Sequence, residues 1–140
     1  MLFRSSAFRT ARAQRLVTTQ DDAGAWTWTG DWTTRAVDGA FGPTVRTAET
    51  AGDRGTLTVS GRDVALVASR GPSLGIAQIR LDGVTLATID LYAPDAQPRS
   101  IVWAGVLDGA EHALAVVTTG GRNPASGGTR IALDALLELR

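Results

Sequence analysis

His112 is the only histidine in this 140-residue chain, and it follows Glu111 at the start of a β-patterned run. Nucleophilic catalysis needs a hydroxyl or thiol with a base, usually histidine, within hydrogen-bond reach. With one histidine and no cysteine, the sequence offers little of that kind. His112 reads instead as a turn-to-strand residue whose ring bonds backbone. Glycoside hydrolysis needs two carboxylates converging in a cleft, one with its pKa raised by its surroundings. The acidic residues include eleven aspartates. Of these, Asp82, Asp90, Asp108 and Asp134 fall near turns or strands and read as solvated turn residues. No catalytic residue is assigned.

Metal chemistry is similarly bounded. Zinc is excluded in practice by one histidine and no cysteine. Calcium takes oxygen ligands, carbonyls included, which Asp/Gly-rich loops can supply, so a structural calcium stays open although no D-x-[DN]-x-[DN]-G loop is present. Gly120-Gly121 and Gly127-Gly128 flank a loop without the lysine of a phosphate-binding loop. No other cofactor is expected.

Aromatic residues make the better case for binding. A sugar ring stacks its axial C–H face on an exposed Trp or Tyr, and polar neighbours then set its orientation. Trp26 and Trp28 lie among threonines, where one could be exposed, and Tyr92 ends a strand beside the 93–98 loop. Arg122 and Asn123 add polar groups on another loop. The candidate ligand-binding residues are therefore Trp26, Trp28, Tyr92, Arg122 and Asn123. Trp32 and Trp103 are assigned to packing, Trp103 because it shares strand parity with Ile101.

These residues sit on β-patterned elements. In 74–92 two β-branched runs flank Asp82-Gly83, the dipeptide of a two-residue type I′ hairpin. The predicted register pairs Leu81 with Val84, Ile79 with Leu86 and Ala77 with Thr88. It puts Leu81, Ile79, Val84 and Leu86 on a buried face, with Arg80, Gln78, Thr85 and Ala87 opposite. Apolar parity switches near Ala87–Thr88, which predicts a bulge. Further strands are expected at roughly 45–51, 55–60, 64–69, 99–107, 112–119 and 129–139, divided by Gly/Asp/Pro turns. In the last of these, Ile131, Leu133, Ala135, Leu137 and Leu139 share a face, and Asp134 and Glu138 point the other way. Short alternating strands between such turns predict an all-β antiparallel β-sandwich in one domain, residues 20–140.

Arginine supplies all fourteen basic residues and balances fourteen acids, so no net field favours nucleic acid. Arg62, Arg70 and Arg80 lie near Asp53, Asp63 and Asp82 in sequence. No apolar run reaches the roughly 20 residues of a membrane span. Residues 1–19 carry four arginines and no acid. They read as a linker or N-terminal extension, with Phe3, Ala7, Phe8 and Ala11 at loosely helical spacing.

An ordered series of landmarks carries a family likeness. It runs through Trp28-Thr29-Gly30-Asp31-Trp32, Gly61-Arg62-Asp63-Val64-Ala65, Gly71-Pro72 with Gly75, and Leu81-Asp82-Gly83. It continues with Ile89-Asp90-Leu91-Tyr92, Gly109-Ala110-Glu111-His112 and Leu133-Asp134-Ala135. On these, residues 28–140 resemble the galactose-binding-like jelly-roll modules at the C-terminal end of large bacterial extracellular proteins. The resemblance implies a non-catalytic accessory module, extracellular or at the cell surface, within a larger multidomain protein. A glycan or cell-surface polysaccharide is the implied partner, and a structural calcium sometimes accompanies such sandwiches. The alternative is a structural or protein-interaction sandwich with no small ligand.

Overall fold

Residues 15–140 are described by the computed structural model, and all their regular elements are strands. In chain order they are β1 (Leu16–Gln20), β2 (Thr27–Thr29), β3 (Thr33–Ala36), β4 (Thr44–Ala48), β5 (Arg54–Val59), β6 (Asp63–Arg70), β7 (Ile76–Leu81), β8 (Val84–Asp90), β9 (Gln97–Val106), β10 (His112–Thr118) and β11 (Ile131–Leu139). One sheet runs β3-β4-β11-β6-β9, with β1 also pairing β11; the other runs β2-β5-β10-β7-β8. All strand pairs are antiparallel, and the two sheets enclose one core of Leu57, Val59, Leu66, Ile79, Leu114, Val116, Ile131, Leu133 and their neighbours. This is the expected all-β sandwich. The expected helical spacing of Phe3, Ala7, Phe8 and Ala11 lies outside the described residues. The stretch 15–19 does contribute: β1 pairs the second half of β11, so the sheet begins ahead of residue 20.

The Asp82-Gly83 turn forms as expected, with both residues at positive φ and Leu81 opposite Val84. The bulge comes earlier than the parity switch suggested. Arg80 pairs Thr85 and Ile79 pairs Ala87, so Leu86 is the extra residue. Ile79 and Ile89 are thereby buried on the same side, whereas Val84 and Leu86 are exposed rather than in the core. β8 is an edge strand of its sheet, with a neighbour on one side only.

The same device reorders two other strands. On β11 the register against β6 shifts between Leu133 and Ala135, which absorbs Asp134. Before the shift Ile131 and Leu133 face the core; after it Leu136 and Glu138 do, and Leu137 and Leu139 turn outward. The expectation that Asp134 and Glu138 are solvent-facing is thus overturned: both are buried. Glu138 accepts hydrogen bonds from the Ser60 and Gly61 backbone N–H groups at 2.9 and 3.1 Å, which closes the β5–β6 turn. On β9 a shift at Leu66/Val67 separates Trp103, packed against the core, from Ile101, which is 62% exposed.

Strand directions give the sandwich two distinct ends. One gathers the loops 30–32, 49–53, 71–75, 91–96 and 119–130. The other gathers 60–62, 82–83 and 107–111.

Candidate functional site

The first end is tied together by backbone and side-chain hydrogen bonds. Gly71 N–H donates to Leu91 O, Gly75 N–H to Arg130 O, Ile76 N–H to Gly121 O and Gly127 N–H to Pro72 O, at 2.7–3.1 Å. Ser126 is the buried hub: its Oγ lies 2.7 Å from the Leu74 carbonyl and 3.0 Å from that of Gly128. Gly75 has no room for a side chain, since a Cβ there would come 2.3 Å from the Thr129 carbonyl oxygen. Three loops distant in sequence are therefore held as one surface.

Tyr92 sits on that surface, half-buried. Its backbone N–H donates to Asp90 Oδ1 at 3.0 Å, and Asn123 Nδ2 donates to Asp90 Oδ2 at 2.7 Å. Arg70 donates to the Asp90 carbonyl at 2.8 Å, and Arg122 donates to Ser126 O. Asp90 thus links the Tyr92 and Asn123 loops. Three of the sequence-derived candidates, Tyr92, Arg122 and Asn123, belong to this one wall. The sequence marks Asp90 only as a turn residue, because its bridging role depends on a loop 33 residues away.

Trp26 and Trp28 lie elsewhere, on the β2 edge. Trp26 is 6% exposed and part of the core. Trp28 stacks on it with ring centroids 4.9 Å apart and planes 13° apart, and Trp32 leans on Trp28 at 4.7 Å. Arg46, from the opposing sheet, lies 5.1 Å from the Trp28 ring centroid, a cation–π contact. Gly55 lies directly beneath, where a Cβ would come 2.4 Å from the Trp28 ring. Trp26 therefore presents no stacking face, while Trp28 and Trp32 stay half-buried. Residue type and alternation do not reveal that the three rings stack on one another.

The opposite end carries the ring expected to bond backbone. His112 instead bonds two carboxylates, Nδ1 with Asp82 Oδ2 at 2.6 Å and Nε2 with Asp108 Oδ1 at 2.7 Å. Those two carboxylates raise the His112 pKa, and the hydrogen bonds from the ring, with backbone N–H bonds, lower those of Asp82 and Asp108. A ring bonded to carboxylates through both nitrogens is a clamp across two turns, not a base waiting for a nucleophile. One serine-hydrolase spacing does occur, Gly71-Pro72-Ser73-Leu74-Gly75, but the G-x-S-x-G elbow requires a strand-to-helix turn. Here Ser73 joins two antiparallel-sheet strands, β6 and β7, at the end of the sandwich away from His112.

Among the described residues no group of three or more His, Cys, Asp or Glu side chains is arranged to hold a metal ion. The nearest approach to a metal set is a buried carboxylate pair, Asp21 and Asp134, whose pKa values burial raises. Asp21 accepts from Thr44 Oγ1 at 2.9 Å, and Asp134 Oδ2 accepts from Phe41 N–H at 2.6 Å. Asp134 Oδ1 is buried with no partner, and Gln20 Oε1 packs against Gly42 of the same loop. A buried carboxylate oxygen without a partner suits an oxygen-seeking cation such as calcium, for which Asp134 would be the side-chain ligand.

No protein-family model matches the chain, and no curated protein matches it in sequence. Solved structures do match in fold. The CBM36-1 domain of a multidomain xylanase from the hindgut metagenome of Trinervitermes trinervoides aligns at 16% identity with a TM-score of 0.53, covering 90% of this chain and 97% of that one. A two-domain esterase active on acetylated mannans aligns at 14% identity with a TM-score of 0.67, over 89% of this chain and 36% of the esterase. The Podospora anserina GH26-CBM35 β-(1,4)-mannanase aligns at 16% identity with a TM-score of 0.62, over 89% of this chain and 28% of the mannanase. The fold is that of the β-sandwich modules found in multidomain carbohydrate-active enzymes. The chain spans about a third or less of the esterase and mannanase chains.

Proposed function

We propose that this chain is a non-catalytic glycan-binding module of an extracellular, multidomain carbohydrate-active protein. Its contact surface is the hydrogen-bonded wall of Tyr92, Arg122 and Asn123 at the first end of the sandwich. The observation that supports this most is the Asp90 bridge, which holds an aromatic ring and an amide on two loops beside one another. Tyr92 supplies an apolar face for a sugar ring, and Arg122 and Asn123 supply polar groups around it. Trp28 and Trp32 form a second, separate aromatic edge. Affinity electrophoresis through gels containing xylan, mannan or β-glucan tests the reading. Retardation in at least one gel, lost in Tyr92→Ala and kept in Trp28→Phe, is the expected result. Free migration in every gel contradicts it.

A second reading, a protein-interaction module, draws on a different face. Leu16, Ala65, Ala104, Val106, Leu137 and Leu139 line an apolar groove of about 330 Å³ on the outer side of the larger sheet. Val106 is 80% exposed there. Arg15 and Arg140, hydrogen-bonded to each other, place both ends of the described chain beside it. The occupant that fits is a neighbouring domain of the same polypeptide.

A further inference from the structure

Two adjoining cavities run across the first end on the outer side of the larger sheet, and they share Arg35, Thr47 and Arg130. The wider one, about 590 Å³, opens toward Asp31 and Glu49. The narrower one, about 160 Å³, adds Arg70 and has no carboxylate in its lining. Three separate elements deliver the three arginines. Arg35 comes from edge strand β3, Arg70 ends β6 and donates one guanidinium N–H to the Asp90 carbonyl at 2.8 Å, and Arg130 precedes β11, where it bridges to Leu74. Among the described residues the ion pairs are those of His112 with Asp82 and Asp108 and of Arg140 with Glu138; none involves these arginines. Guanidinium groups keep their charge at any working pH, so three arginines lining one small cavity with no carboxylate among them favour an anion there.

We infer that this groove binds an acidic saccharide, with its carboxylate or sulfate group among Arg35, Arg70 and Arg130. The sugar hydroxyls then extend along Thr47 toward Asp31 and Glu49, whose carboxylates accept hydrogen bonds from them. The inference rests on the glycan-binding reading above and adds the ligand's charge and a second contact surface. A nucleic acid suits the groove less well. No aromatic side chain lines it to stack a base, and Asp31 and Glu49 would oppose the continuation of a phosphate backbone. Planar guanidinium groups match carboxylate and sulfate oxygens with paired N–H donors, which gives direction as well as charge.

Isothermal titration of the whole chain tests this. The probes are oligogalacturonate, dextran sulfate, neutral manno-oligosaccharide and a single-stranded DNA oligomer. The proteins are wild type, Arg70→Gln, the double variant Arg35→Gln/Arg130→Gln, Tyr92→Ala to report the Tyr92 surface, and Glu111→Gln, exposed at the opposite end, as a control outside both surfaces. Oligogalacturonate or dextran sulfate is expected to bind, more weakly as salt rises, with affinity falling about tenfold or more in either arginine variant. Binding of oligogalacturonate alone assigns a carboxylated ligand, and binding of dextran sulfate alone a sulfated one. Acidic-saccharide binding untouched by all three arginines would overturn the inference. Neutral saccharide bound through Tyr92, with neither acidic probe bound, overturns it too and leaves the glycan reading standing. No saccharide bound at all removes both. DNA bound as tightly as the acidic saccharides, with the same arginine dependence, overturns the ligand class. Matching thermal melts establish that the variants fold; Arg35→Lys, which keeps charge but not the fork, covers the case in which the double variant does not.

Discussion

His112 joins the β7–β8 turn to the β9–β10 loop through Asp82 and Asp108, and a ring that donates from both nitrogens carries its second proton. Its folded pKa is raised above 6.5, so the clamp contributes fully below that value and is lost as pH climbs through the raised one. The two aspartates are lowered from 3.8, so their contribution is present above 3.8 and fades as pH falls through the lowered values. Urea midpoints should therefore decline on the alkaline side of 6.5, and His112→Asn should flatten that decline. An unchanged slope in the variant would place the pH dependence elsewhere. The sequence put His112 beside a turn but could not name its partners, because Asp82 lies 30 residues away on another hairpin. Asp134 makes the complementary case. Burial raises its pKa, so without a cation its ionisation destabilises the fold as pH rises above 3.8. Asp134→Asn should be neutral or stabilising at pH 7 in chelator. Millimolar calcium should raise the wild-type melting temperature and leave that of the variant unchanged; no calcium effect on either protein would remove Asp134 as a ligand.

At the level of elements, what was legible is what is locally encoded. Asp82-Gly83 needs positive φ at two successive residues, and few other dipeptides accept it, so the hairpin and its first pair were readable. The bulge of β8 was readable from its parity switch but not its exact place at Leu86, and those at Val102 and Asp134 were not readable, because each depends on the register of a partner strand. That is why Glu138, polar by alternation, proved to be a buried clasp of the β5–β6 turn, and why Ile101 and Trp103 parted company. The tryptophan ladder is likewise non-local: β2 can carry Trp28 over β5 only because Gly55 is its partner. Gly55→Ala should drive a methyl into the ring and cost about 1–3 kcal/mol. Urea unfolding checks this, with tryptophan fluorescence reporting the displaced stack. A loss under about 0.5 kcal/mol, the range of inert surface changes, would mean that Trp28 is free to move aside.

At the level of the whole molecule, the sandwich separates its tasks by location. One end closes turns with the His112 clamp and the Glu138 clasp. The other assembles three loops around Ser126, and there polar groups, an aromatic ring and the arginine groove come together. Tyr92, Arg122 and Asn123 could be proposed singly from residue type. Their assembly could not, since it rests on loop-to-loop hydrogen bonds between segments about 30 to 50 residues apart. The apolar groove beside Leu16 and Val106 faces neither end and is available to a neighbouring domain. The central claim is that the loop-rich end is the one that meets a glycan. The direct measurement is a backbone amide NMR titration with xylo-, manno- and galacturono-oligosaccharides. The account predicts shifts confined to residues 71–75, 91–96 and 119–130, with Arg35 and its neighbours added for the acidic oligosaccharide. Shifts centred on 60–62, 82–83 and 107–111, or none with any saccharide, would contradict it.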